Sequence, residues 1–294
     1  MKKILSFICV LALCGAVFAG CSAADAGSSA VQSSSPAADS PSADDGSSAV
    51  TLSGIVATGG STSMEKVIGA LGEAFAAQNP DVQVTYDPTG SGAGITAAQN
   101  GTADIGLSSR ALKEEEAAGL TGTVVALDGI AIIVHPDNPV SDLSMEQLKQ
   151  IADGSVTNWK DVGGDDAEIV LIGREAGSGT RDGFESILDV KDACQYAQTQ
   201  NATGGVIATV ASNTGAIGYA SLSAVGDSVK TLSVDGVTPT EATVKDGSYQ
   251  VQRPFLFVTN STAALSPQAQ AFLAFAQSPE AAEIISAAGA VYPG

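Results

Sequence analysis

Ile169-Val170-Leu171-Ile172 runs into Gly173-Arg174-Glu175-Ala176-Gly177-Ser178-Gly179-Thr180-Arg181, and this passage decides the fold class. A short apolar run bounded by glycine reads as a buried strand, and Ser178 after Gly177 opens a helix. A strand that yields to a helix through a glycine-rich turn is the repeating unit of an α/β fold.

The same grammar recurs outward from that passage. Residues 51–57 read as a strand running into Gly59-Gly60-Ser61-Thr62-Ser63, followed by Met64, Val67, Ile68, Leu71 and Phe75 at helical spacing up to Asn79-Pro80. Val82 to Tyr86 is a strand, followed by Gly90-Ser91-Gly92-Ala93-Gly94 and a helix to Gln99, and Asp104 to Leu107 is a short buried strand. Thr123 to Val134 is a long apolar run interrupted by Asp128-Gly129. Ser144 and Gln147 have capping-box spacing for a helix to Ile151. Residues 206–211 read as helix, and 216–220 and 255–258 as strands; Ser266-Pro267 and Ser278-Pro279 each supply an N-cap and a first-turn proline for the last two helices. The alternation predicts an α/β fold with largely parallel sheets.

Ser61-Thr62, Ser91 and Ser178-Gly179-Thr180 each follow a strand and open a helix. That position is the carboxyl edge of an open α/β sheet, where ligands bind. Free N–H groups at a helix start, aligned with the positive end of the helix dipole, favour an anion. One such turn is commonly no more than a capped turn; three in one chain point to a ligand. Three of the four arginines flank these motifs: Arg110 after Ser108-Ser109, Arg174 four residues before Ser178, and Arg181 after Thr180. A guanidinium suits a tetrahedral oxyanion. Arg174 reads as a ligand contact, Arg110 fits either a ligand contact or a salt bridge, and Arg181 reads as a structural partner of Asp182 or Glu185.

Composition excludes several classes. The 294 residues carry 13 Lys+Arg against 32 Asp+Glu, a formal charge of −19. That field repels phosphate backbones, so nucleic acid is not an expected partner. It does not exclude one small anion held by short-range donors. A single histidine rules out His-rich metal sites, and no Cys/His cluster supports zinc, so neither metal nor cofactor is expected. The Gly173 loop has no lysine for a Walker A motif, and Thr89 and Ala176 stand where a nucleophile elbow around Ser91 or Ser178 needs its first glycine. His135, in Val134-His135-Pro136-Asp137, reads as a surface residue at a strand end.

Lys2-Lys3 and the apolar run to Ala19 read as a signal peptide over 1–20, and Val17-Phe18-Ala19-Gly20-Cys21 resembles a bacterial lipobox with Phe18 in place of the usual Leu. Cys21 would carry a lipid (palmitate) anchor. Without Lys2 and Lys3, 11 basic residues face 32 acidic ones, a balance near −21. Residues 22 to about 50 are Ser, Ala, Gly, Asp and Pro, a composition that reads as a tether. Cys194 is then left alone, without a disulfide partner, and reads as a small buried hydrophobe.

Taken in order, Gly60-Ser61-Thr62-Ser63, Thr89-Gly90-Ser91-Gly92, Ala103-Asp104-Ile105-Gly106-Leu107-Ser108-Ser109-Arg110 and Gly173 to Arg181 resemble the phosphate-binding proteins of the high-affinity phosphate ABC importer, the PstS family. Thr157-Asn158-Trp159-Lys160-Asp161-Val162-Gly163-Gly164 and Gly215-Ala216-Ile217-Gly218-Tyr219 fit the same family, and the resemblance runs from about residue 52 to the C-terminus. It implies a two-domain α/β fold of the periplasmic-binding-protein-like type II, with a ligand cleft between the domains and two hinge crossings, near 127–129 and 251–254. One domain would comprise 51–128 and 254–294, the other 129–253.

Carried over position by position, the phosphate ligands would be Ser61, Thr62, Ser91, Ser109, Arg174, Ser178, Gly179 and Thr180, with Arg110 adding a charge-assisted contact. Many family members have an aspartate where Ser109 stands; a serine hydroxyl can accept as well as donate, so phosphate remains compatible. The function implied is a lipid-anchored, extracytoplasmic, monomeric protein without enzymatic activity, which captures inorganic phosphate and delivers it to the membrane permease of an ABC importer. The alternatives are another tetrahedral oxyanion such as sulfate or molybdate, a phosphate-ester hydrolase, or an adhesin or sensor on the same fold.

Overall fold

The computed structural model describes residues 51–293. The signal peptide expected over 1–20, the lipidation site expected at Cys21 and the tether expected over 21–50 lie outside the described residues. In chain order, β1 (Gly54–Gly60), α1 (Glu65–Gln78), β2 (Val82–Asp87), α2 (Ser91–Asn100), β3 (Ile105–Ser108) and the long β4 (Leu120–Val134) come first. β5 (Asp142–Leu143), α3 (Met145–Ala152), β6 (Val170–Arg174), α4 (Gly179–Ile187), β7 (Gln198–Gln200), α5 (Thr203–Ala211) and β8 (Ala216–Ser221) follow. β9 (Lys230–Thr231), β10 (Ser233–Val234), α6 (Glu241–Lys245), β11 (Gln252–Asn260), α7 (Pro267–Ala276) and α8 (Pro279–Ala287) complete the described chain.

Local chemistry sets several of these boundaries. The periodic residues Val67, Ile68, Leu71 and Phe75 form the buried stripe of α1, which stops where the Asn79 side chain donates to the Phe75 carbonyl, just before Pro80. Both reciprocal bonds of the Ser144–Gln147 capping box are present at α3. Ser266 caps α7 with Pro267 in its first turn. Ser278 differs: its hydroxyl donates backward to the Phe275 carbonyl at 2.7 Å and leaves α8 without a side-chain cap.

One curled mixed sheet runs in the order β2-β1-β3-β11-β4-β8-β6-β7, with β9 also pairing to β4. Strands β2, β1 and β3 are mutually parallel, as are β8, β6 and β7. The centre departs from the largely parallel expectation: β11 is antiparallel to β3 and β4, and β4 to β8. The reason is topological. Leu120 to Gly129 of β4 pair with β11, whereas Ile130 to Val134 pair with β8. One strand therefore carries the chain out of the first half and the other brings it back, so the two must run in opposite directions.

The two largest buried clusters fall in different parts of the sheet. The first packs Met64, Ile68, Leu71 and Phe75 of one flank against Ile105, Leu107, Phe257 and Phe272. The second gathers Ile132, Leu148, Trp159, Leu171, Phe184 and Tyr219. Each fully buried aliphatic or aromatic side chain contributes about 1.5–3 kcal/mol of burial, and among the described residues the one cysteine, Cys194, is free.

Asp128 interrupts the apolar run without breaking the strand. Its carboxylate, fully buried, receives Arg253 Nη2 at 3.0 Å and the Ser221 hydroxyl at 2.7 Å. Burial pushes this carboxyl up and the Arg253 guanidinium down, each opposed by the other's charge. A guanidinium does not deprotonate in proteins, and the hydrogen bonds to both Asp128 oxygens keep the carboxylate compatible with it. Arg253 also donates to the Ser109 carbonyl at 3.3 Å, so the pair joins the β4–β11 crossing to the loop that follows β3.

Candidate functional site

The first lobe presents three hydroxyls at the carboxyl ends of β1 and β3 and at the start of α2. Gly60 ends β1 at φ +135°, and a side chain there would run into the Leu107 backbone. That close approach places Ser61 beside the end of β3. Ser61 Oγ donates to Ser109 Oγ at 2.8 Å, Ser109 Oγ lies 3.2 Å from Ser91 Oγ, and the Ser109 N–H donates to Ser91 Oγ at 3.1 Å. Tyr86 holds the same loop by donating to the Ser61 carbonyl at 2.9 Å. All three serines are buried.

The second lobe presents the start of α4, the start of α5 and Arg174. Ser178 caps α4 by accepting the Arg181 N–H, and Gly179 and Thr180 form its first turn. Arg174 is 2% exposed. Its Nε and Nη2 meet the two oxygens of Glu175 at 2.9 Å each, and its Nη1 donates to Thr203 Oγ1 at 3.1 Å. The fork on Glu175 fixes the plane of the guanidinium and leaves Nη1 turned towards the hydroxyls.

These faces touch. Ser63 Oγ lies 2.8 Å from Thr180 Oγ1 and 3.1 Å from Thr203 Oγ1, and Thr62 Oγ1 lies 3.1 Å from Thr203 Oγ1. The Gly92 N–H donates to the Gly177 carbonyl at 3.0 Å. A Cβ at Gly179 would sit 2.5 Å from Ser91 Oγ and 2.7 Å from Ser109 Oγ, so only glycine lets the α4 turn approach the serine cluster. Ser61, Thr62, Ser91, Ser109, Arg174, Ser178, Gly179 and Thr180 thus gather where the starts of α2, α4 and α5 converge. Their hydroxyls can each donate or accept, and three helix N-termini add backbone donors and positive dipole ends. The arrangement suits a small, compact oxyanion.

Arg110 is placed otherwise. Its guanidinium forks onto Glu116 at 2.6 and 2.7 Å, and its Nε lies 2.7 Å from Asp182 on α4. Burial alone would lower its pKa, but the hydrogen bond to Glu116 and the charges of Glu116 and Asp182 raise it. The Arg110 hydrogen bond in turn holds the Glu116 carboxyl below its usual value, against burial. Lys113 Nζ also reaches Asp182, at 3.4 Å. Of the two roles open to Arg110 in the sequence, the structure adopts the salt bridge, and this one ties the two sides of the cleft. A cavity of about 420 Å³ lies beside that contact, bordered by Arg110, Asp182, Arg253 and Pro254.

The remaining candidates resolve simply. Arg181 pairs with Glu185 at 2.7 Å. His135 accepts the Asp137 N–H and faces that carboxylate at 3.7 Å. Cys194 is half-buried rather than buried, and burial pushes its thiol up to about 11, which leaves it inert at neutral pH. Among the described residues, no group of three His, Cys, Asp or Glu side chains could hold a metal ion. Sequence reasoning missed Ser63 and Thr203. Thr203 had a visible signal, because Thr203-Gly204-Gly205 opens a helix after a strand with the same small-residue chemistry as the other loops.

The chain matches a family described as the PBP superfamily domain over residues 30–280. It is 36% identical over 205 residues to the phosphate-binding protein PstS of Bacillus subtilis (strain 168), with 68% of each chain covered. Among solved structures, a Clostridium perfringens protein described as a phosphate ABC transporter substrate-binding protein, with bound phosphate, superposes with a TM-score of 0.78 at 41% identity. That match covers 81% of this chain and 99% of the other. An ABC-type phosphate transport receptor from Vibrio cholerae superposes with a TM-score of 0.68 at 37% identity, covering 82% and 100%.

Proposed function

The chain belongs to the PstS family of phosphate-binding proteins, and from that membership we propose that it captures inorganic phosphate between its two lobes and passes it to an ABC importer. The observation that carries the reading is the convergence of the α2, α4 and α5 starts on one buried hydroxyl cluster with Arg174 Nη1 aimed into it. Ser61, Thr62, Ser91 and Ser109 would receive the anion from one side, and Arg174, Ser178, Gly179 and Thr180 from the other. Ser63 and Thr203 join this set. Arg110 acts across the cleft rather than on the anion.

The lobes would be 51–128 with 254–294, and 129–253, hinged where β4 changes partner and β11 returns. Solute binding with release to a permease, not covalent chemistry, is the work of this family. Function outside the cytoplasm on a lipid anchor at Cys21, as a monomer docking on the membrane permease, completes the proposal.

Calorimetric titration of the phosphate-stripped protein with phosphate, sulfate and molybdate tests it. Phosphate should bind most tightly. Sulfate binding of equal strength would replace phosphate with a broader oxyanion class, since no carboxylate stands at Ser109 to accept a hydrogen bond from protonated phosphate.

A further inference from the structure

Arg174 lies at the end of β6, and the β6–β8 ladder stops before it, at the Ile172–Gly218 pair. Beyond that point side chains replace the ladder. The Arg174 N–H donates to Tyr219 Oη at 3.1 Å, and Tyr219 Oη lies 3.0 Å from Tyr196 Oη. Tyr196 Oη donates to Glu185 Oε1 at 3.0 Å, and Arg181 Nε donates to the same oxygen at 2.7 Å. Arg181 Nη1 then returns to the Arg174 carbonyl at 3.3 Å. The circuit closes on the residue where it began.

Its proton directions are fixed by counting. Each phenol has one proton, and that of Tyr196 goes to Glu185, so Tyr219 must donate to Tyr196 while accepting from Arg174. From the Arg174 N–H through the two phenols the protons run towards the Glu185 carboxylate, an alignment in which each bond polarises the next. Burial pushes both phenols well above the usual tyrosine value, so both keep their protons. Packing holds the circuit in place: Phe184 stacks on Tyr219 at 4.2 Å, the Arg181 guanidinium covers the Tyr196 ring at 4.9 Å, and a Cβ at Gly173 would collide with that ring.

We propose that Tyr219, Tyr196, Glu185 and Arg181 are positioning residues that clamp the Arg174 backbone on both sides and so aim its guanidinium at the anion. The inference rests on the reading of Arg174 as a phosphate ligand. Arg181 and Glu185 lie on α4, whose first turn supplies Gly179 and Thr180, so the clamp also fixes the charged donor relative to the helix-start donors. Donors held at their final spacing avoid an ordering cost when the anion arrives.

Tyr219→Phe removes the acceptor and keeps the ring stacked on Phe184. Titration with inorganic phosphate should show Kd raised about tenfold, as expected for the loss of one buried hydrogen bond in a coupled circuit. The melting temperature without phosphate should move by no more than about 4 °C. In an Arg174→Ala background, the same substitution should raise Kd no further. Tyr196→Phe, one bond more distant, should act in the same direction with a smaller rise, and it serves if Tyr219→Phe does not fold. A change in Kd below twofold for both variants, or an equal rise with and without Arg174, would overturn the clamp while leaving the phosphate site intact. Unchanged phosphate binding in Arg174→Ala alone would overturn the ligand assignment, and the clamp with it.

Discussion

On the first lobe, Ser61 and Ser91 each hydrogen-bond to Ser109, and each hydroxyl can rotate its proton to donate or accept. On the second lobe, Arg174 is forked on Glu175 and its backbone is gripped from both sides, so its charge points one way. Arg174 and Arg110, both buried beside these loops, are placed differently. Arg174 faces the hydroxyl cluster, whereas Arg110 turns aside to join Glu116 and, across the cleft, Asp182. On the proposed function, one face would adapt to a ligand's protonation pattern and the other would fix where the charge sits. Binding would then fall to Arg174 and closure to Arg110.

The contrast is sharpest in the loss of the fixed charge. Arg174→Ala should cost about 2–5 kcal/mol of phosphate affinity, because it removes one partner of a desolvated charge pair. Ser109→Ala on the adaptable face should cost only about 1 kcal/mol, the value of an ordinary hydrogen bond. Equal losses in calorimetry would erase the distinction between the faces.

Gly179→Ala tests the approach of the faces to each other. Its Cβ would press on Ser91 Oγ and Ser109 Oγ, an overpacking worth about 1–2 kcal/mol. Because those atoms belong to the opposite lobe, the cost should fall on the closed form. Phosphate binding should weaken and small-angle scattering should report a wider body, with each lobe's fold unchanged. Undiminished affinity would mean that the lobes need not meet at this point.

The smallest effect concerns the cross-cleft cation. Asp182→Asn should speed phosphate release by up to about fivefold in stopped-flow measurements, since a partly exposed ion pair contributes at most about 1 kcal/mol. The difference from the unmodified protein should shrink as salt rises. Glu116 stays ionised at neutral pH and keeps Arg110 partnered once Asp182 moves away, so unfolding stability should change little. A release rate unaffected by the substitution would confine Arg110 to its own lobe.

Much of this was legible in the sequence. The strand-to-helix turns at Ser61, Ser91 and Ser178, the capping box at Ser144 and the apolar stripe of α1 follow from neighbours within about four positions, the range over which helix periodicity and capping act. Other features were not. Arg253 and Asp128 are 125 positions apart, and nothing local marks Arg253 as a fully buried partner. Nothing local marks Tyr196 and Tyr219, 23 positions apart, as joined through their hydroxyls.

By itself, then, the sequence determined an alternating α/β chain, the small-residue loops that open its helices, the scarcity of positive charge and the motif order that resembles a phosphate-binding family. The tertiary structure alone decided which arginine faces the hydroxyl cluster, that Ser63 and Thr203 complete it, and that β4 and β11 cross antiparallel between the lobes. The physical reason lies in the reach of a guanidinium. A long arginine side chain has several carboxylates and carbonyls within range of its rotamers, and only the packed positions of distant segments select among them.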